Sequence, residues 1–264
     1  VKDDGAAWGS NGQSGVRGDV RLYGYPIPTS VAAYNYYPAS GTGGDMVVDT
    51  TYGWYTPSDS HLGLRNGLGH EHGHGLGLGH CISNNSSMLM EPYLSTAFDG
   101  PQDDDIRGAQ RLYGDTYERP GSSGTGHNNS QSSATDLGTL SGSRSWTNAS
   151  IDDAADIDYY KFYVGSTSNV TITVTPQGRS YSIGKQGGTE TSIDTLRIQD
   201  LKFDVLNSSG SVVAAGSATG SGSAESTTKS LSSGTYYVRV DDVSGKADVQ
   251  LYTLKIDLGG SSTP

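Results

Sequence analysis

The eleven residues HEHGHGLGLGH, numbered 70–80, decide how the first part of this chain must fold. They follow a stretch from residue 58 whose pattern predicts a helix, on which His70 and His74 would lie one turn apart on the same face. Both imidazoles could therefore reach one metal ion. His80 lies six residues further on and can return to that ion only if the chain turns. Gly77 is placed to take the left-handed conformation that ends a helix.

This pattern, H-E-x-x-H-x-x-G-x-x-H, predicts one catalytic zinc ion with His70, His74 and His80 as ligands. Three neutral imidazoles leave a tetrahedral zinc ion with one position open for water. Glu71 stands beside the first ligand and is predicted to be the general base for a zinc-activated water that attacks a peptide carbonyl. The alternative is a structural or adventitious His-rich metal site. The fixed Glu and Gly favour the catalytic interpretation.

The residues after His80 extend this pattern into a family resemblance. Met88-Leu89-Met90-Glu91-Pro92-Tyr93 looks like the Met-turn of the metzincin metallopeptidases, and the chain resembles their matrixin-like branch. That resemblance implies that Met90, with Met88 as the alternative, lies beneath the metal, and that Pro92 and Tyr93 form part of the S1′ wall. Ordinary core filling is the other interpretation of the methionines.

Some positions depart from the matrixin pattern. Tyr34 and Val47 stand where matrixins usually carry histidines for a structural zinc ion, so we predict no second zinc. Asp45 and Asp49 keep part of the family's calcium pattern, which leaves Ca²⁺ possible there, with solvated carboxylates as the alternative. Cys81 is expected to be a small buried side chain rather than a ligand.

The amino end is shorter than the family pattern implies. Matrixin catalytic domains begin with a strand, a long helix and a second strand before the position of DVRLYGYPI (19–27), and about 18 residues precede that stretch here. We therefore expect an α+β catalytic domain truncated at its amino end. Such a domain could be completed by another chain or by the protein's own cleaved amino-terminal segment.

The pattern changes near residue 120, which predicts two domains and a linker. Residues 1–118 are predicted to be the matrixin-like zinc peptidase domain and residues 119–135, rich in Gly, Ser and Asn, the linker. Residues 136–264 contain short alternating runs such as NVTITVT (169–175) and TYYVRV (235–240), which predict an all-β antiparallel sandwich. The stretches 156–162 (DIDYYKF), 234–240 (GTYYVRV) and 252–254 (YTL) resemble the bacterial pre-peptidase C-terminal (PPC) domain. The acidic loop from 152 to 158 suits either a calcium site or a solvated turn.

The composition of the chain disfavours some classes of partner and some structural features. Asp and Glu number 28 against 17 Lys and Arg, a net charge of −11, which disfavours a nucleic-acid partner. Glycine supplies 38 of 264 residues, and one cysteine permits no intrachain disulfide. No apolar run is long enough to span a membrane, and the first ten residues lack a signal-peptide pattern. The sequence predicts a secreted zinc endopeptidase acting on proteins or peptides. The alternative is an extracellular assembly or adhesion subunit that keeps the peptidase domain as a scaffold.

Overall fold

The computed structural model describes residues 21–38, 42–53, 59–118 and 127–259. Its contacts divide the chain into two compact units. The first consists of Val1–Ala109 together with Tyr181–Ile193, and the second of Gln110–Ser180 together with Asp194–Pro264. The division therefore falls within helix α2, and a short segment from the second half of the sequence joins the first unit. The predicted boundaries at residues 118 and 136 remain a prediction about separable domains.

The first unit contains two small sheets and a long helix. Its elements are β1 (Leu22–Tyr25), β2 (Ala33–Asn35), β3 (Met46–Asp49), α1 (Leu62–Gly75), β4 (Cys81–Ser83), the start of α2 (Asp103–Tyr113), and the hairpin strands β9 (Ser180–Lys185) and β10 (Thr191–Asp194). In the first sheet β3 lies between β1, to which it is parallel, and β2, to which it is antiparallel. In the second sheet β9 lies between β10 and β4. Helix α1 packs against β2 and β3.

Helix α1 forms despite its glycines because they allow close packing. A Cβ at Gly73 would lie 2.3 Å from the sulfur of Met90, and one at Gly75 would lie 2.9 Å from the side-chain amide nitrogen of Asn35. The segment after the helix and strand β2 thus approach its backbone directly. That packing offsets a cost of about 0.5–1 kcal/mol for each glycine in a helix interior.

Both ends of α1 have identifiable causes. Helix α1 begins at Leu62, four residues after the start predicted from the sequence, and its N-cap residue, His61, makes no side-chain cap hydrogen bond. Asp59 accepts a hydrogen bond from the Gly63 N–H at 2.9 Å. At the other end, the Gly77 N–H donates to the His74 carbonyl and the Leu78 N–H donates to the Gly73 carbonyl, both at 2.9 Å. Gly77 has φ +102°, which is the left-handed turn expected from the sequence.

The second unit is a β-sandwich. Its strands are β5 (Thr135–Thr139), β6 (Ser143–Ile151), β7 (Asp158–Val164), β8 (Ser168–Gln177), β11 (Leu201–Asn207), β12 (Val212–Gly216), β13 (Glu225–Leu231), β14 (Gly234–Asp242) and β15 (Gln250–Leu258). The two sheets have the orders β12-β11-β14-β7-β5 and β13-β8-β15-β6. Alternate residues of β7, β8 and β15 are buried, as the period-2 pattern predicts. Only the β5–β7 pair is parallel within the described part of this unit.

Helix α2 and the amino end of the chain bear on the bounds of the first domain. Helix α2 has acidic residues in its first turn and Arg111 in its last, as the helix dipole favours. Residues 1–20 lie outside the described part of the chain, so the predicted truncation stays a prediction. Within the described residues, no helix is both long and apolar enough to cross a membrane.

Candidate metal centre

The three histidines singled out by spacing converge on one point. Helix α1 places the rings of His70 and His74 with their centroids 4.7 Å apart, and the turn at Gly77 brings His80 back to them. The Nε2 atom of His80 lies 3.1 Å from the Nε2 atoms of both other rings. Two nitrogen ligands of tetrahedral zinc, at about 2.0–2.1 Å from the metal, would be about 3.3 Å apart. The observed spacing fits a single zinc ion.

Hydrogen bonds at the opposite ring nitrogens fix the tautomers. The Nδ1–H of His70 donates to the Leu89 carbonyl at 2.7 Å, and that of His74 donates to the Leu78 carbonyl at 2.8 Å. Because carbonyls only accept, the proton of each neutral ring sits on Nδ1 and leaves a lone pair on Nε2. Burial lowers the pKa of His70 to about 4 and also lowers the pKa of His74, so both rings are neutral near pH 7.

His80 follows the same arrangement with a partner that the sequence did not indicate. Its Nδ1 lies 2.8 Å from the Oε1 atom of Gln186, which accepts the ring proton. Three lone pairs therefore face one another, an arrangement that a cation would stabilise. The donor set of three neutral imidazoles is that of a catalytic zinc site with an open position. The His70, His74 and His80 group could thus hold a metal ion.

Glu71 lies in the same cleft as the three rings but is not one of the converging ligands. The cleft has a volume of about 490 Å³ and is also lined by Pro92 and Tyr93. The Glu71 side chain is 8% exposed, and its Oε2 atom has no hydrogen-bond partner within the described residues. Burial raises the pKa of Glu71 to about 7. A hydrogen bond from the Asn35 backbone N–H lowers it, but by less than burial raises it. A carboxyl group of this kind can take up and release a proton near neutral pH.

The segment predicted to be the Met-turn packs under the helix. Met90 is buried with its sulfur against Gly73, between the first two histidines along α1, and Met88 is buried in the same cluster. The carboxylate of Asp105, from α2, accepts hydrogen bonds from the Leu89 and Met90 N–H groups at 2.8 and 2.9 Å. Of the two predicted S1′ residues, Pro92 is half-buried and Tyr93 is 84% exposed.

The two aspartates predicted to bind calcium are engaged by protein groups. Asp45 forms an ion pair with Arg21, whose Nη2 atom lies 2.5 Å from its Oδ2. Asp49 accepts hydrogen bonds from the Ile27 N–H and from the N–H and hydroxyl of Thr51, and the Thr51 bonds lower its pKa. These contacts account for both carboxylates without a cation, and calcium at this position stays a prediction.

A second group of candidate ligands lies within the sandwich unit. Carboxylate oxygens of Glu118, Asp156 and Asp158 all lie within 4.8 Å of one another. Asp158 is fully buried, and its Oδ1 atom has no partner within the described residues, while its Oδ2 accepts from the Tyr252 hydroxyl. Burial and the neighbouring Glu118 raise the pKa of Asp156 to about 8. Hard oxygen ligands at this density suit Ca²⁺.

Comparison with known protein families finds a match for the part of the chain that contains the three histidines. Residues 22–114 match the family model of the matrixins (Peptidase_M10). Human matrilysin is 33% identical over 105 residues, which cover 38% of this chain and 37% of matrilysin. Matrix metalloproteinase-16 of Rattus norvegicus is 37% identical over 87 residues, which cover 31% of this chain and 14% of that protein. The chain thus spans well under half the length of these relatives. The match supports a metalloprotease kind of function.

Solved structures resemble the other part of the chain. The pre-peptidase C-terminal domain of a Bacillus anthracis collagenase matches 47% of this chain and 94% of its own length, with 18% identity and a TM-score of 0.31. PliG, a periplasmic lysozyme inhibitor from Aeromonas hydrophila, matches 47% of this chain with 13% identity and a TM-score of 0.28. TM-scores of this size do not establish a shared fold, and the sandwich is therefore defined by its own strand order.

Proposed function

We propose that this protein is a secreted zinc-dependent endopeptidase that hydrolyses peptide bonds in protein substrates. The observation that carries the proposal is the convergence of the Nε2 atoms of His70, His74 and His80 in a cleft that also holds Glu71. The matrixin match over residues 22–114 supports the same reaction class. The extracellular location rests on the sequence resemblance.

The residues of the cleft would have separate roles in peptide hydrolysis. A zinc ion held by the three imidazoles would supply Lewis acidity, which lowers the pKa of a bound water and polarises the scissile carbonyl. Glu71 would accept a proton from the attacking water at its carboxylate and return it to the leaving amine. Pro92 and Tyr93, at the cleft wall, would contact the substrate side chain beyond the scissile bond.

Replacing the general base tests this proposal. Glu71→Gln should lower the rate of hydrolysis of a fluorogenic peptide mixture by about 10²–10⁴-fold, since proton transfer by a positioned group contributes that much. Zinc content should be unchanged because Glu71 is not among the converging ligands. His72→Ala is the matched control, since His72 is exposed on the same helix.

Two outcomes would contradict the proposal in different ways. If Glu71→Gln hydrolysed peptides as fast as the wild type, Glu71 would have no role in the reaction. If the zinc-loaded wild type hydrolysed nothing in a broad mixture of proteins and peptides, the peptidase proposal would fail. The alternative of an assembly or adhesion subunit would then be favoured.

We also propose that the sandwich unit binds one calcium ion at Glu118, Asp156 and Asp158. Two observations support this site: carboxylate oxygens of the three residues lie within 4.8 Å of one another, and the buried Asp158 Oδ1 atom has no hydrogen-bond partner within the described residues. The His127 ring lies 2.8 Å from Glu118, and the guanidinium of Arg111 is engaged by the Asp152 carbonyl. A divalent cation would offset this buried negative charge.

Calcium binding and its pH dependence test the second site. Burial and neighbouring carboxylates raise the pKa of Asp152 to about 6, of Asp115 to about 7 and of Asp156 to about 8. The folded protein therefore holds more protons than the unfolded chain above about pH 4. In calcium-free buffer these groups contribute stability at low pH that is lost as the pH rises through 6–8. Calcium should reverse that loss.

The measurement combines calorimetric titration with thermal melts at pH 5 and pH 8.5. Wild type should bind calcium at pH 8.5 and gain melting temperature, whereas Asp158→Asn should lose most of the binding. Asp241→Asn, which removes a carboxylate from a surface pair with Lys202, should bind like the wild type. Absence of binding by the wild type, together with a melting temperature that does not fall between the two pH values, would refute the site.

A further inference from the structure

The hairpin formed by β9 and β10 is assigned to the first unit although its sequence lies among strands of the sandwich. Along the chain it follows β8 and precedes β11. It begins more than sixty residues after the end of the matrixin match at residue 114. Even so, Tyr181–Ile193 form part of the compact unit that contains α1 and the three histidines. The hairpin therefore belongs to the same unit as the candidate metal ligands.

Backbone pairing attaches the hairpin to the residues directly after the third histidine. Strand β9 runs antiparallel to β4, with Cys81 opposite Lys185 and Ser83 opposite Ile183. The pairing continues on both sides, because the Gln186 N–H donates to the His80 carbonyl at 3.3 Å and the Asn84 N–H donates to the Ser182 carbonyl at 3.1 Å. The backbone of His80 is thus held by the hairpin.

Side chains anchor the base of the hairpin. Tyr181 is buried in one cluster with Cys81, Met88 and Met90, so it packs against the segment beneath α1. Its hydroxyl donates to the Asp103 carboxylate at 2.9 Å, at the start of α2. The buried tyrosine and the strand pairing together fix the position of the following residues, including Gln186.

Gln186 accepts a hydrogen bond from the Nδ1–H of His80, as backbone carbonyls do from the other two histidines. Carbonyls of Leu89 and Leu78 accept the Nδ1 protons of His70 and His74. Within the described residues, the acceptor for the His80 Nδ1–H is the Gln186 side-chain oxygen at 2.8 Å. An acceptor at Nδ1 keeps the lone pair on Nε2 and fixes the direction of the ring.

We propose that Gln186 is a positioning residue for the metal ligand His80, and that the inserted hairpin thereby completes the metal centre. This inference rests on the proposed zinc site. Gln186 touches neither metal nor substrate; it acts through the His80 ring and through the main chain of the same residue. The three histidines lie within the matrixin match at residues 22–114, and their affinity for a metal would then depend on residues outside that match.

The expected size of the effect follows from comparable hydrogen bonds around metal sites. Loss of a partner that orients a metal-bound histidine typically weakens metal binding by about 10–100-fold. Gln186→Leu removes the acceptor and keeps a side chain of similar size. Gln186→Glu keeps an acceptor oxygen at the same position. Glu190→Gln changes an exposed residue on the same hairpin and serves as the control.

The experiment measures zinc affinity of the full-length protein by competition with a chromophoric chelator at pH 7.5. Gln186→Leu should bind zinc about 10–100-fold more weakly than the wild type, while Gln186→Glu and Glu190→Gln should stay within a few-fold of it. Nitrogen-15 spectra of the metal-free proteins give a second readout. The His80 ring should be protonated at Nδ1 in the wild type and should populate both tautomers in Gln186→Leu.

The outcomes separate this inference from the proposed function. A wild type that binds zinc tightly while Gln186→Leu binds it equally well, with an unchanged His80 tautomer, would overturn the role of Gln186 alone. A wild type that binds no zinc would overturn the metal centre and this inference with it. Circular dichroism of each variant shows whether the sheet is intact, so that unfolding is not mistaken for a lost hydrogen bond.

Discussion

At the scale of single residues, Gly73 shows why the metal-binding helix tolerates poor helix formers. The residue lies between His70 and His74 along α1, and the Met90 sulfur occupies the space where a Cβ would project. A larger residue would push the Met90 side chain away from the helix or shift the helix itself. Glycine at this position therefore allows Met90 to pack directly against the helix that carries His70 and His74.

Gly73→Ala should destabilise the first unit by about 1–3 kcal/mol, the usual cost of overpacking a tight core contact. The same change at Gly53, where a Cβ would meet nothing within 4 Å, is the matched control. Chemical denaturation followed by tryptophan fluorescence measures both variants. The Gly73→Ala/Met90→Ala double variant should lose less stability than the sum of the two single variants, because the smaller side chain removes the clash. Equal stability of Gly73→Ala and wild type would contradict this packing.

Other single residues show where the sequence was informative and where it was not. The spacing of His70, Glu71, His74 and His80 follows from helix geometry and one turn, so local sequence suffices to predict their convergence. Gln186 lies 106 positions from His80, and no periodicity or spacing links the two. Glu118 likewise meets Asp156 and Asp158 only through the fold of the sandwich unit. Contacts of this range require knowledge of the tertiary structure.

At the scale of elements, the end of α1 was predictable and the hairpin was not. Gly77 stops the helix because the turn needs a positive φ, and that requirement is visible in the sequence. The alternating runs at residues 169–175 and 235–240 predicted β8 and β14 within one or two residues at each end. Strands β9 and β10 carry a weaker alternation, with Gly184 inside β9 and two glycines in the turn, and were not predicted.

The hairpin also shows how a strand is assigned to a sheet by packing rather than by its place in the chain. Ile183 and Ile193 pack against the cluster that contains Met88 and Met90, which ties both hairpin strands to the matrixin-like segment. Propensity cannot reveal such a partner, since it measures only how well a residue fits a half-buried pleated surface.

At the scale of the whole molecule, the chain combines a candidate metal site, whose ligands lie close together in the sequence, with a sandwich whose core is formed by strands distant in the sequence. In the first unit, the candidate metal site is formed by the histidine motif, the turn at Gly77 and the β9–β10 hairpin. In the second unit, both sheets contribute residues to one core. Residues 119–126, the first eight residues of the predicted linker, lie outside the described part of the chain, and the separability of the two predicted domains stays a prediction.

Metal analysis of the purified full-length protein tests most directly whether the three converging imidazoles hold one zinc ion, as we propose. The wild type should carry one zinc ion per chain, and the His70→Ala/His74→Ala double variant should lose it, because a single remaining imidazole cannot hold the ion. Zinc retained by the double variant, or a wild type that takes up none from buffered zinc, would contradict this proposal.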